Sequence, residues 1–199
     1  MERILLSTAD GSHTISIPSL GLTYHSMHGA IQESRHVFIE AGLQLIITMG
    51  INHINILEIG FGTGLNALLT LDAAKNLSIR YETLEPEPIE TYLFNQLNYC
   101  DQLGRKDLGE KFLMMHKAKW KSEIGIQPGF TFIKHPNTIT EFSSPNKFNL
   151  IYFDAFGARV QPELWTEEIF QKMYRALRIN GVLVTYAAKG SVRRAMQAV

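Results

Sequence analysis

Apolar and polar positions change period several times along the chain. Ile4, Leu5 and Leu6 form an apolar run, and Ile15 and Ile17 alternate with Thr14 and Ser16. Asp10-Gly11 lies between them, and such a dipeptide between two strand-like runs marks a tight turn. The pattern predicts a β-hairpin over residues 2–18. From Ala30 the apolar positions Ile31, Val37, Phe38, Ala41 and Leu45 fall near helical spacing, which predicts a helix over 31–49 ended by Gly50. Asn55 to Ile59 reads as a short buried strand, followed by a glycine loop, a helix from Leu65 to Lys75, and a second strand from Ile79 to Leu84 that runs into Glu85. This strand–loop–helix–strand unit is the building block of a parallel sheet.

Pro88 to Ile124 is helical in composition, with a break near Gly104. Phe130 to Ile133 and Phe148 to Phe153 read as a third and a fourth strand, the latter ending on Asp154. Pro162 opens a helix to Leu177, since proline is accepted in a first turn. Asn180-Gly181 turns the chain into a fifth strand over Val182 to Ala187, and Ser191 to Val199 starts another helix. The expected architecture is α/β, with helices on both faces of the sheet and an N-terminal hairpin and helix. With no repeat or linker, it reads as one continuous domain, residues 1–50 covering the site and 51–199 forming the core.

Composition bounds the function. A chain of 199 residues with 45% apolar and 19% charged residues fits one domain with a real core. Nineteen basic against nineteen acidic residues give zero net charge, which argues against an indiscriminate nucleic-acid coat but leaves room for a local patch. The single Cys100 excludes an intramolecular disulfide framework and a cysteine-rich zinc site. His25, His28 and His36 cluster in sequence but show no confirmed ligand spacing, so no metal is expected. Lys117, Lys119 and Lys121 around Trp120 fall on different helical faces and carry little weight. The longest apolar stretch is too short to span a membrane, so the expectation is a cytoplasmic protein.

The candidate chemistry begins at Glu58-Ile59-Gly60-Phe61-Gly62-Thr63-Gly64. A dinucleotide loop would need glycine where Leu65 stands. Glycines here let the backbone turn sharply and approach a ligand, and the adjacent Glu58 suits a positive group. Glu85, ending the second strand, is placed to accept from the hydroxyls of a ribose. Asp154 ends the fourth strand, at the sheet edge where open α/β folds bind ligands. Together these residues resemble the class I S-adenosyl-L-methionine (SAM)-dependent methyltransferases, which have a Rossmann-like sheet. The resemblance implies that Glu58, Gly60, Gly62, Gly64 and Glu85 hold that cofactor.

Two longer segments narrow the likeness. Asp154-Ala155-Phe156, followed by Gln161-Pro162-Glu163-Leu164-Trp165, resembles the methyltransferase domain of the MnmC family and its stand-alone MnmD relatives. Their signature is D-[GA]-F-x-P followed by N/Q-P-[DE]-x-W, and Ala158 stands here in place of the first proline. Tyr24, Gly29, Glu33-Ser34-Arg35 and Val37-Phe38 resemble a second family segment, which packs over the cofactor mouth. The resemblance implies methylation of the aminomethyl group on wobble uridine 34 of tRNA, giving 5-methylaminomethyl-2-thiouridine, as the methylation step alone, with no fused oxidase. Asp154 and Phe156 would be catalytic. Glu33, Tyr24 and Asn137 would join the cofactor site, and Arg159, Trp165 and Lys189 would bind substrate. The partner is then tRNA, with neither DNA nor membrane involved. Two alternatives stay open: a small-molecule amine methyl- or aminopropyltransferase, and a non-catalytic SAM-binding module. The family fold closes with a strand hairpin after the last helix, and that hairpin is expected to be missing from this sequence.

Overall fold

A computed structural model describes residues 2–74 and 76–199. The expected helix end at Lys75 lies outside the described residues. The chain opens with strands β1 (Ile4–Ser7), β2 (His13–Ile17) and β3 (Leu22–Thr23), which form a small antiparallel sheet in that order. Helix α1 follows over 30–48, α-helical at Ala30–Ser34 and Gln44–Thr48 and π-helical over Arg35–Leu43. The hairpin turn caps this helix from a distance. Thr8 Oγ1, Ser12 Oγ and Asp10 Oδ2 accept from the backbone N–H groups of Ala30, Ile31 and Gln32, donors that the first turn cannot satisfy internally. Although partly buried, Asp10 is held down at about 2 by hydrogen bonds from Ser12, Gln32 and Thr8. The hairpin therefore fixes the start of the helix that carries Glu33.

The central sheet contains β4 (His53–Ile59), β5 (Ser78–Leu84), β6 (Ile124–Gln127), β7 (Phe130–His135), β8 (Phe148–Phe153) and β9 (Leu177–Val184). Their spatial order is β6-β7-β5-β4-β8-β9, with β6 antiparallel to β7 and every other pair parallel. Helices α2 (Leu65–Ala73), α3 (Gly109–Lys117), α4 (Glu167–Ala176) and α5 (Gly190–Gln197) cover the faces. Alternation along the strands divides two cores. Ile54, Ile56, Ile79, Tyr81, Phe132 and Tyr152 pack with α1, α2 and α3, while Leu57, Ile59, Leu84, Ile151 and Phe153 pack with α4 and α5. Strands buried on both faces read as near-continuous apolar runs, as FNLIYF does. At Gly42 an added Cβ would lie 3.0 Å from Val184, so α1 sits very close to the sheet.

Three expectations are corrected. The expected helical stretch ends at Ile124 with no strand before Phe130, yet Ile124–Gln127 forms β6, which Pro128-Gly129, with φ +78° at the glycine, turns into β7. Pro162 opens only the short 3₁₀ turn Pro162–Trp165, and α4 starts after Thr166, whose side chain accepts from the Ile169 N–H. The last strand begins at Leu177 and ends at Val184 instead of covering 182–187, with an irregular register around Asn180. Among the described residues no helix is long and apolar enough to cross a membrane.

From β4 the chain proceeds outward through β5 to β7, then returns to β8 on the other side of β4. That reversal separates the loops leaving β4 and β8, which makes a crevice at their carboxyl ends.

Candidate active site

After Ile59 the backbone turns into α2 through Gly60, Gly62 and Gly64, with φ of +89°, +50° and +75°. These are left-handed values that side chains disfavour. At Gly60 space is also short, because a Cβ would stand 2.9 Å from the Asp154 carbonyl oxygen. At Gly62 it would stand 3.0 Å from the Tyr24 ring. The glycines thus let three segments converge: the loop itself, the end of β8, and the chain entering α1.

Glu85 meets the loop from β5. Its Oε2 accepts from Gly62 N–H at 2.7 Å and its Oε1 from Glu87 N–H at 2.9 Å. Burial pushes its carboxyl above the usual range against these bonds. Tyr24 lies over the loop, edge-on to Phe156 with centroids 5.0 Å apart. Burial raises its hydroxyl to about 12, with Glu85, Glu90 and Glu87 adding to the rise and Arg3 opposing it. Arg3 reaches this corner by donating to the Pro88 carbonyl and to Glu90.

Asp154 is the centre of a second cluster. Its Oδ2 accepts from the Asn66 side-chain amide at 2.7 Å. Burial raises its carboxyl well above the ordinary value, the Asn66 bond opposes the rise, and the negative charge of Glu33 adds to it. Glu33 is anchored by the Ser26 N–H, which donates to its Oε2 at 2.9 Å. The site therefore gathers the carboxyls of Glu33, Glu85 and Asp154 around a glycine loop. That donor set fits a cofactor carrying an ammonium, a sulfonium and ribose hydroxyls, and it suits an amine substrate.

The loop after Asp154 is clamped from two sides. Trp165 Nε1–H donates to the Phe156 carbonyl at 2.8 Å, and Tyr186 Oη–H donates to the Ala155 carbonyl at 2.9 Å. Trp165 is buried against Phe153, Phe170 and Tyr186, so it braces Phe156 instead of presenting a face for stacking. Replacing it with Phe keeps most of the packing but strands that carbonyl. Thermal unfolding should show a loss of about 1–3 kcal/mol, with cofactor affinity nearly unchanged.

Other expected residues lie apart. Glu58 is fully buried near the end of β4, with Asn66 and Asp154 acting on its carboxyl. Asn137 is partly exposed in the loop after β7, where its side chain faces Glu141. Arg159 is exposed and reaches the Gly21 carbonyl at 3.4 Å. Lys189 is exposed where α5 begins, with Arg193 and Arg194 on that helix. His25 is buried, with Nε2 2.7 Å from Thr63 Oγ1, and burial lowers it to about 4. Among the described residues no group of three or more His, Cys, Asp or Glu side chains is placed to hold a metal ion.

Asn66, Arg3 and Tyr186 are site residues that motif reading passed over. Asn66 had a usable signal, being a polar residue in an apolar helix immediately after the glycine loop. Arg3 and Tyr186 had none, because only tertiary folding brings them here.

A sequence profile of S-adenosyl-L-methionine-dependent methyltransferases matches residues 110–199. An uncharacterized protein of Methanocaldococcus jannaschii is 27% identical over 201 residues, covering 98% of this chain and 53% of its own. The tRNA 5-methylaminomethyl-2-thiouridine biosynthesis bifunctional protein MnmC of Magnetococcus marinus is 28% identical over 188 residues, covering 88% of this chain and 27% of its own. The chain thus spans about half, or less, of the length of these curated relatives. The crystal structure of MNMC2 from Aquifex aeolicus superposes with a TM-score of 0.80 at 24% identity, covering 99% of this chain and 64% of that one, and shows the same fold. Residues 110–199 thus match the S-adenosyl-L-methionine-dependent methyltransferase family, and the chain as a whole is similar to part of MnmC and shares the fold of MNMC2.

Proposed function

We propose that the chain methylates the aminomethyl group of the wobble uridine of tRNA, forming 5-methylaminomethyl-2-thiouridine, and that the residues described carry out this methylation step alone. The observation that carries this reading is the half-enclosed Asp154 carboxyl beside the glycine loop, at the head of the D-A-F segment. The likeness to the tRNA 5-methylaminomethyl-2-thiouridine biosynthesis protein of Magnetococcus marinus supports the substrate class.

When bound, SAM supplies a methyl group on a positively charged sulfur. Glu85 and the Gly60–Gly64 backbone would hold its ribose and amino-acid end, with Tyr24 above and Glu33 near the charged end. A primary amine in water is mostly protonated at pH 7 and then has no lone pair to donate. Asp154 answers both needs. Its Oδ2 is held by Asn66, while Oδ1, which accepts no hydrogen bond from a described residue, is left to bind the ammonium and take one proton from it. The raised carboxyl makes that transfer less uphill, because a more basic acceptor matches the amine better. With that proton on Asp154, the amine would keep a lone pair free to accept the methyl group that SAM supplies when bound. Phe156 and Tyr24 wall the amine from water, and a base stacking on such a ring gains about 1–3 kcal/mol. Arg159, Lys189, Arg193 and Arg194 are the exposed cations offered to the phosphates of one RNA loop.

Zero net charge and the acidic mouth also favour a second reading, a small free amine as methyl acceptor. Incubation with labelled SAM and either undermodified tRNA or free amines separates the two. The expected result is label in 5-methylaminomethyl-2-thiouridine after nucleoside digestion. Label only in free amines would overturn the tRNA assignment.

A further inference from the structure

Glu58 is the buried acid that this chemistry leaves unused. In the sheet it lies beside Thr83 of β5 and Tyr152 of β8. Burial holds its carboxyl well above the ordinary value and the charge of Asp154 at the end of β8 adds to this, while Thr83, Asn66 and Tyr81, which face the carboxyl, oppose it. Yet both its oxygens, with Thr83 Oγ1, Tyr81 Oη and Asn66 Oδ1, are buried without a hydrogen-bond partner among the described residues. The same Asn66 donates to Asp154 Oδ2 at 2.7 Å, so one amide stands between two enclosed acids. The groups acting on this pair are neutral or acidic: Asn66, Thr83 and Tyr81, with Glu33 from α1. Tyr152 feels the charge of Glu58, and Tyr186 that of Asp154 and Glu33.

A carboxylate enclosed without a cation or hydrogen bonds takes up a proton instead of staying charged. Two acids flanking one amide also resist ionising together. Asp154 is the member with an N–H donor and an open side, so it is the one better able to carry the charge.

We propose that Asn66 is a positioning residue that aims the Asp154 carboxylate at the substrate amine, and that Glu58 keeps its proton so that Asp154 is the charged member of the pair. The inference rests on Asp154 being the catalytic carboxylate proposed above, and it removes Glu58 from the direct cofactor contacts.

The test compares rates, SAM affinity and melting temperature against pH for the wild type, Glu58→Gln and Asn66→Ala. Gln copies a neutral carboxyl, so Glu58→Gln should keep its neutral-pH rate within about twofold and its SAM affinity unchanged. The wild type, whose Glu58 is favoured protonated in the fold, should lose melting temperature relative to Glu58→Gln as pH rises from the ordinary carboxylate range through the raised value. Asn66→Ala removes a donor that favours the charged form of Asp154. Its rate should fall at least about tenfold and the acid limb of its profile should move up by about one unit, with SAM affinity held. If Asn66→Ala does not fold, Asn66→Ser, with a shorter donor, should show a smaller shift in the same direction. Parallel melting curves, or a Glu58→Gln enzyme that loses its cofactor, would overturn the role of Glu58. An unmoved acid limb alongside an inactive Asp154→Asn overturns only the role of Asn66, whereas an active Asp154→Asn overturns the catalytic assignment beneath it.

Discussion

Asp154→Asn should give a folded protein that binds SAM normally and transfers methyl groups about 10²–10⁴ times more slowly, the range expected when a positioned proton acceptor is lost. The substitution keeps the shape, and either end of the new amide can still meet Asn66. It removes the charge that attracts an ammonium and the lone pair that takes its proton. KM for the amine substrate should rise as well, while cofactor affinity, measured by calorimetry, stays close to that of the wild type. In the wild type the rate should climb with pH through a value above the usual carboxylate range, because burial holds Asp154 protonated longer than a free aspartic acid. Stability has the opposite sign. A carboxyl whose value is raised by folding favours the folded state while protonated, and that contribution is lost as pH rises through the raised value. Activity and stability should thus move in opposite directions as pH rises from the ordinary carboxylate range through this raised value. An Asp154→Asn enzyme with full activity would sink the mechanism.

Much of the fold could be read from period and punctuation. FNLIYF, HINILEI and SIRYETL are short runs between polar breaks, and all three are central strands of the sheet. The elements that escaped depend on other forces. The π-helical turns within α1 have no counterpart in a pattern matched to 3.6 residues per turn, and they lie where Gly42 lets the helix close onto β8 and β9. β6 is short, lies at an edge and contains Gly125, so its apolar alternation is faint. In the site, Gly60, Gly62 and Gly64 declare themselves, because a left-handed turn has a sequence cost that only glycine avoids. Asp154 and Glu85 follow from strand ends. Trp165 could be found as a motif residue, but its job could not, since an indole that stacks on a base and one that clamps a carbonyl look identical in sequence. Glu58 was recognised as part of the loop motif, yet its enclosure depends on Tyr81 and Thr83 from another strand.

Gly60→Ala should damage two functions with one methyl group. The backbone there has φ +89°, so Ala alone costs of order 1–3 kcal/mol in a region that side chains rarely occupy. The added Cβ would also press against the Asp154 carbonyl oxygen, 2.9 Å away, and backbone cannot rotate aside as a flexible side chain can. Relief requires either the loop to lift, which withdraws the Gly62 N–H from Glu85, or the end of β8 to retreat, which pulls Asp154 from Asn66. Calorimetry should show SAM affinity reduced at least about tenfold, equivalent to 1.4 kcal/mol. The turnover rate at saturating cofactor should fall further, since the catalytic carboxyl has moved. Gly104→Ala supplies the comparison. Its φ is +65°, and an added Cβ would meet nothing within 4 Å. That variant should lose stability through backbone strain while keeping both cofactor affinity and turnover. If Gly60→Ala binds SAM as tightly as Gly104→Ala does, the loop is not where the cofactor sits.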